Sequence, residues 1–251
     1  MTDTRGFDGK IAVVTGGARG IGRAICDNLA AAGARVVVGY RSRADEADAT
    51  VATICDGGGE AVAVQVDVAD PESVTEFMAG ARREFGGPVE FLVNNAAYSR
   101  LLEVDELTPQ RWDLLFRTNA GGPYLTTWAV KDEMIAAGGG AIVNISSING
   151  VSANASTIAY GATKAALNNF TRGCALAFAK DGIRVNAVAP GLVLTEQSET
   201  VTAEQRAAMV ETIPLGRGAA PEEIASVVRF LLSEESSYIT GETLVVAGGR
   251  H

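Results

Sequence analysis

Histidine is almost absent from the chain. Of 251 residues one is His, and it is the last, His251. That excludes a His-dependent catalytic triad and a His-rich metal centre in the body of the protein, so no metal is expected. Cysteine is scarce too. Cys26, Cys55 and Cys174 lie far apart and form no CxxC pair, which excludes a zinc ribbon or a disulfide framework. They read as free thiols in a reducing compartment, filling core space as small apolar groups. No apolar run approaches the ~20 residues of a membrane span, and the opening MTDTRGFDGK is too polar for a signal peptide. A cytoplasmic protein without a membrane partner is expected. Positive charge is in deficit. A formal charge of -9 disfavours nucleic acid, whose phosphates need a basic face.

The chain is rich in aliphatic residues and glycine, with 47% hydrophobic residues and 29 Gly. The apolar residues come in short β-branched runs: KIAVVT (10–15), RVVVGY (35–40), AVAVQV (61–66), VEFLVNN (89–95), AIVNIS (141–146), IRVNAVAP (183–190) and TLVVAGG (243–249). Near-continuous hydrophobicity predicts strands covered on both faces. Helical patterns lie between them. The first ends at Gly33, the third opens with Asp70-Pro71, and longer ones cover about 109–137, 158–180 and 221–233. The GGP at 121–123 is expected to interrupt the first long one, because Pro123 lacks an N–H. Strands alternating with helices predict an α/β fold, a doubly wound seven-stranded parallel sheet of Rossmann type, in one domain over 1–251. The polar, poorly periodic stretch at about 192–214 is the candidate lid over a substrate.

TGGARGIG (15–22) follows the first strand and opens the first helix. Gly16, Gly20 and Gly22 permit a tight turn, and the helix start offers free N–H groups to a pyrophosphate. Strand two ends in Tyr40, Arg41, Ser42 and Arg43, with no carboxylate before Asp45. A carboxylate there would take a ribose 2′-OH, whereas arginine attracts a 2′-phosphate. Arg41, with Arg19 inside the turn, therefore predicts NADP(H). Asp67 is placed to accept from an adenine amino group, and Asn94 to brace the turn after strand four.

TGGARGIG, NNAA (94–97), Asn119, ISS (145–147), YGATK (160–164) and PG (190–191) occur in one order across the chain. This set resembles the short-chain dehydrogenase/reductase family of single-domain type, nearest its 3-oxoacyl-carrier-protein reductases, glucose dehydrogenase-like members and carbonyl reductases. The resemblance implies catalytic roles for four residues. Tyr160 would be the general acid/base, Ser147 the hydroxyl that holds the substrate oxygen, and Lys164 the residue that binds the nicotinamide ribose and lowers the tyrosine pKa. Asn119 would position a water behind the lysine. It also implies that Pro190, Gly191, Val193 and Thr195 flank the nicotinamide, and that Ile21, Val68 and Ala96 complete the cofactor contacts. Residues 160 and 164 are i and i+4, so both lie on one helix face, and a neighbouring ammonium favours tyrosinate.

The implied reaction moves a hydride between NADP(H) and a small-molecule ketone or secondary alcohol. Reduction of 3-oxoacyl groups on a carrier protein is the alternative, and a catalytically silent nucleotide-binding protein a third reading. An acidic carrier needs a basic docking face, for which Arg172 and Lys180 are the nearby candidates. Tyr98, Ser99, Ile148, Asn149, Val151, Asn154, Leu192, Val193 and Leu194 are expected to shape the substrate pocket. Ala97 replaces the family's usual glycine in NNAG, and Ala247 the acid of its terminal DGG. The family further implies a homotetramer, with the helices at about 109–137 and 158–180 forming one contact face.

Overall fold

A computed structural model of the chain describes residues 6–99, 104–196 and 202–250. Seven strands form one parallel sheet: β1 Ile11–Thr15, β2 Arg35–Tyr40, β3 Glu60–Gln65, β4 Val89–Asn94, β5 Gly140–Ile145, β6 Ile183–Pro190 and β7 Thr243–Val246. Their order is β3-β2-β1-β4-β5-β6-β7. The expected doubly wound sheet is present, and each predicted apolar run supplies one strand. The order reverses beside β1, whose neighbours are β2 and β4. A crevice opens past the carboxyl ends of strands at such a point, and open α/β sheets bind ligands there.

Alternate side chains of each strand enter opposite layers, which is why the strand sequences are apolar throughout. Ala12, Val14, Val36, Val38 and Val93 face α1 Gly20–Ala31 and α8 Pro221–Leu232, packing on Ile25, Leu29, Ile224 and Val228. Val13, Val37, Leu92, Ile142 and Val185 face the other layer, on Phe77 of α3 Pro71–Phe85, Met134 and Phe178. The edge strands are less covered; β3 ends in exposed Glu60 and Gln65.

Helix ends follow local chemistry. Asp70 caps α3 by accepting from the Glu72 N–H, with Pro71 at the first helical position. Gly33, with φ 99°, follows the end of α1. The remaining helix of that first half is α2 Ala44–Asp56.

Two expectations are corrected. The stretch at 109–137 is not broken at Gly121-Gly122-Pro123. It runs as α4 Pro109–Phe116, a π-helical turn Arg117–Gly121, and α5 Gly122–Ala136. Pro123 sits in the first turn of α5, and the Gly122 N–H reaches back five residues to the Arg117 carbonyl. Widening one turn removes the need for the N–H that Pro123 lacks. The stretch at 192–214 is not irregular throughout. Val193 bridges Ala219, and α7 Ala203–Glu211 opens with a capping box between Thr202 and Gln205. Its weak apolar face hid it from periodicity, although Thr202-x-x-Gln205 marked its start. Residues 197–201 of that candidate lid lie outside the described residues. The longest helix, α6 Ile158–Phe178, lies where expected.

Candidate active site

One cavity of about 730 Å³ runs along the carboxyl ends of the strands. That volume suits a cofactor with a small substrate. The β1–α1 turn forms its floor. Gly22 lies against the turn itself: a Cβ there would sit 2.0 Å from the Gly16 carbonyl oxygen. Gly16 has φ 66° and lies against Ala96 of the neighbouring strand end. Arg19 stands at the N-cap of α1 with no side-chain cap bond, so the first N–H groups of the helix face the cavity.

Asn95 braces this turn. Its amide donates to the carbonyls of Thr15 (3.0 Å) and Gly16 (2.8 Å), and its own N–H binds Thr15 Oγ1. Asn94, expected to brace the turn after β4, points into the layer beneath. Its Nδ2 donates to Asn144 Oδ1 (2.9 Å), and its Oδ1 accepts from Thr126 Oγ1 (2.6 Å). Strand alternation decides this: neighbours in NNAA face opposite ways. Only the pair Asn94-Asn95 was visible in the sequence, not which member faced the ligand.

At the β2 end Tyr40, Arg41 and Ser42 line the cavity, and so do Arg19, Arg43 and Glu46. Glu46 was not anticipated. Its carboxylate lies 2.6 Å from Arg43 Nη1 and 4.0 Å from Arg19 Nε. One turn into α2, it returns a carboxylate to the region that the end of β2 leaves free of one. Asp67 and Val68 line the adjoining wall, and Asp67 Oδ1 accepts from the Ala69 N–H.

Ser147, Tyr160 and Lys164 meet in the middle of the cavity. Ser147 follows β5, and its Oγ accepts from the Asn149 N–H at 3.1 Å. Tyr160 and Lys164 project from the first turns of α6, with Lys164 Nζ 5.6 Å from the centroid of the Tyr160 ring. Burial raises the Tyr160 phenol above its ordinary pKa, and hydrogen bonds with Ser147 and Ser99 offset part of that rise. Burial lowers Lys164 to about 7. Its Nζ donates to the Ile145 carbonyl at 2.7 Å. The resemblance implies a phenol lowered by Lys164; in the structure burial is the largest influence on Tyr160, and it raises the phenol.

Asn119 does not line the cavity. It is buried in the π-helical turn, where its Oδ1 accepts from the Tyr98 N–H. Its Nδ2 donates to the Tyr98 carbonyl and to Thr163 Oγ1. Thr163 Oγ1 in turn donates to the Tyr160 carbonyl at 2.7 Å.

Apart from Asn94 and Asn119, every expected cofactor and catalytic residue lines the cavity, including Ile21, Pro190, Gly191, Val193 and Thr195. Of the expected substrate contacts, Tyr98, Ser99, Ile148, Asn149, Asn154, Leu192 and Val193 line it, whereas Val151 and Leu194 do not. Val151 is 58% exposed, past a short 3-10 turn, and Leu194 packs on Gly218. Ala247 sits beneath Gly191, in a space that any side chain at 191 would fill. Ala247 thus packs against the turn after β6. Gln205, Met209 and Arg250 also line the cavity without having been anticipated. Arg172 and Lys180 do not reach it. Cys26 and Cys174 are buried as expected, but Cys55 is exposed. Among the described residues no three His, Cys, Asp or Glu side chains gather to hold a metal. No helix there is long and apolar enough to cross a membrane.

A parallel sheet with this strand order, a glycine turn under a helix start, and Ser, Tyr and Lys converging past β5 define a class of oxidoreductases acting on carbonyl and alcohol groups. The chain belongs to the short-chain dehydrogenase/reductase family. A family model described as enoyl-(acyl carrier protein) reductase matches residues 16–251. The 3-oxoacyl-[acyl-carrier-protein] reductase of Synechocystis sp. (strain PCC 6803) is 39% identical over 241 residues, covering 96% of each chain. The FabG of Escherichia coli (strain K12), of the same name, is 38% identical over 245 residues, covering 98% of each. Among solved structures, a 7α-hydroxysteroid dehydrogenase complexed with NADH and 7-oxo glycochenodeoxycholic acid superposes with TM-score 0.95 at 32% identity. The match covers 99% of this chain and 97% of that one. A nicotinamide cofactor and a small carbonyl or hydroxyl substrate are the family's rule.

Proposed function

We propose that the protein is an NADP(H)-dependent reductase of ketones, or dehydrogenase of secondary alcohols, with Tyr160 as general acid/base. The observation that carries this is Tyr160 hydrogen-bonded to Ser147 and Ser99 beside Lys164, in the same cavity as the open start of α1. When bound, the nicotinamide supplies or accepts the hydride. The chain's own residues do the rest. Ser147 Oγ accepts from the Asn149 N–H, which orients the hydroxyl beside Tyr160 so that its proton can be donated to the substrate oxygen. The Tyr160 hydroxyl gives that oxygen a proton in reduction and removes one in oxidation. Lys164, at about 7, can carry or release a proton near neutrality. Its ammonium, when charged, favours the tyrosinate needed for oxidation.

Asn119 acts as a positioning residue. Both amide hydrogens are engaged within the protein, and the side-chain oxygen accepts from the Tyr98 N–H. The same bonds tie the Tyr98 loop to the first turns of α6.

Arg19 and Arg41 at the β2 end support NADP(H) over NAD(H), because a 2′-phosphate would find guanidinium groups there. Keto reduction fits better than the enoyl reduction named for the matched family model. Tyr160 and Lys164 are four residues apart, and enoyl-reducing relatives space this pair more widely. A 3-oxoacyl thioester is the second reading, favoured by the relatives at 38–39% identity. We also infer a homotetramer. Trp112, Tyr124 and Trp128 on α4–α5 and Leu176 on α6 leave apolar surface open at the expected contact face.

The test is a spectrophotometric screen of NADPH and NADH oxidation against ketones and free or thioester-linked 3-oxoacyl compounds. Tyr160→Phe should keep NADPH binding near normal and slow turnover by about 10²–10⁴. Turnover undiminished in that variant would sink the assignment.

A further inference from the structure

A cation waits at the substrate end of the cavity. Arg250 lines it, half-buried, just beyond β7. The position is fixed from two sides. The Gly191 N–H binds the Val246 carbonyl, and the Leu215 N–H binds the Gly248 carbonyl. The tail therefore runs between the turn that follows β6 and the segment that follows α7. Among the described residues no carboxylate or carbonyl accepts from the Arg250 guanidinium; only its backbone N–H is bonded, to Ala247.

Among the described residues, the other basic side chains of the cavity outside the catalytic centre are Arg19, Arg41 and Arg43, at the β2 end. Two of them already face Glu46. Five strand steps separate β2 from β7, on the order of 24 Å at ~4.8 Å each. Arg250 cannot share their ligand group. The tail that carries it lies against the apolar Ile213, Pro214 and Leu215 at Gly248 and Gly249, and Arg250 shares the cavity lining with Leu192, Met209 and the exposed Glu196, with which it makes no ion pair. A guanidinium left without a partner beside apolar side chains gains most from an anion delivered by the ligand.

We propose that Arg250 is a specificity-determining residue, and that the substrate carries an anionic group, a carboxylate or a phosphate, on the arm that points away from the nicotinamide. This rests on the oxidoreductase reading above and adds the substrate's charge to it. The two sources differ in reach: a free oxo acid places its carboxylate in the cavity, whereas a phosphopantetheine-type thioester brings a phosphate to the mouth.

The test is a set of matched pairs. The 3-, 4- and 5-oxo acids are compared with their methyl esters, and a phosphopantetheine thioester with its unphosphorylated form. The protein should favour the charged member of at least one pair by roughly ten- to a hundredfold in kcat/KM. Arg250→Gln should bring that ratio towards one, and Arg250→Lys should keep part of it. A ratio near one for every pair, or a ratio that Arg250→Gln leaves in place, would overturn the inference. Calorimetry provides an arm free of turnover. The matching hydroxy acids should bind more tightly than their amides, and Arg250→Gln should erase the difference. If no ketone is reduced but this difference appears and is erased, the catalytic reading fails and the anion site stands. Equal binding of acid and amide sinks the site.

Discussion

Lys164→Met should make the protein's stability depend differently on pH. Lys164 is 2% exposed and loses its proton at about 7 in the folded chain, against ~10.4 for a free lysine. Below pH 7 both states hold the proton, and its burial is fully unfavourable. From pH 7 towards 10.4 the unfolded chain still binds a proton that folded Lys164 has lost, so stability rises with pH. Between pH 6 and pH 9 the gain is about 3 kcal/mol, and full burial leaves little for solvent to screen. Methionine keeps the stem's bulk without the titration. It also orphans the Ile145 carbonyl, a loss of about 1–3 kcal/mol that does not vary with pH. The measurement is urea unfolding of both proteins without cofactor, at equal concentration, at pH 6 and 9. Unmodified protein should gain about 3 kcal/mol on the variant over that range. The raised thiols of Cys26 and Cys174 act alike in both and cancel. The raised Tyr160 contributes in the opposite sense, but only as pH passes its unfolded value near ~10, above the range used. Parallel pH profiles would refute a buried, depressed lysine.

Two further perturbations test the cofactor end. Gly22→Ala puts a methyl 2.0 Å from the Gly16 carbonyl, where backbone must move. NADPH affinity by fluorescence titration should fall at least about tenfold, at a strain of ~1–3 kcal/mol, while circular dichroism stays native. Wild-type affinity would refute the close turn. Arg41→Asp should move the NADPH-to-NADH preference towards NADH by roughly ten- to a hundredfold in kcat/KM. An NADH preference in the unmodified enzyme would defeat the arginine reading from the start.

What sequence could decide was whatever repeats with the backbone or depends on near neighbours in the chain. The β-branched runs determined seven strands, because a strand buried on both faces leaves little place for polar side chains. TGGARGIG determined the glycine turn, since Gly22 has no room for a Cβ. The four-residue spacing of Tyr160 and Lys164 determined that both face one way from α6. Packing between distant segments decided the rest. Asn94 and Asn95 are chemically identical, and only the pleat of β4 turned one to the core and the other to the turn. Pro123 looked like a break, but a π-helical turn absorbed it and buried Asn119 against Tyr98 and Thr163. Burial, which no single residue type specifies, lowered Lys164 and raised Tyr160. Glu46 and Arg250 entered the cavity because α2 and the tail after β7 fold back on it. A charge's partners are chosen by distance in space, and distance along the chain does not report that.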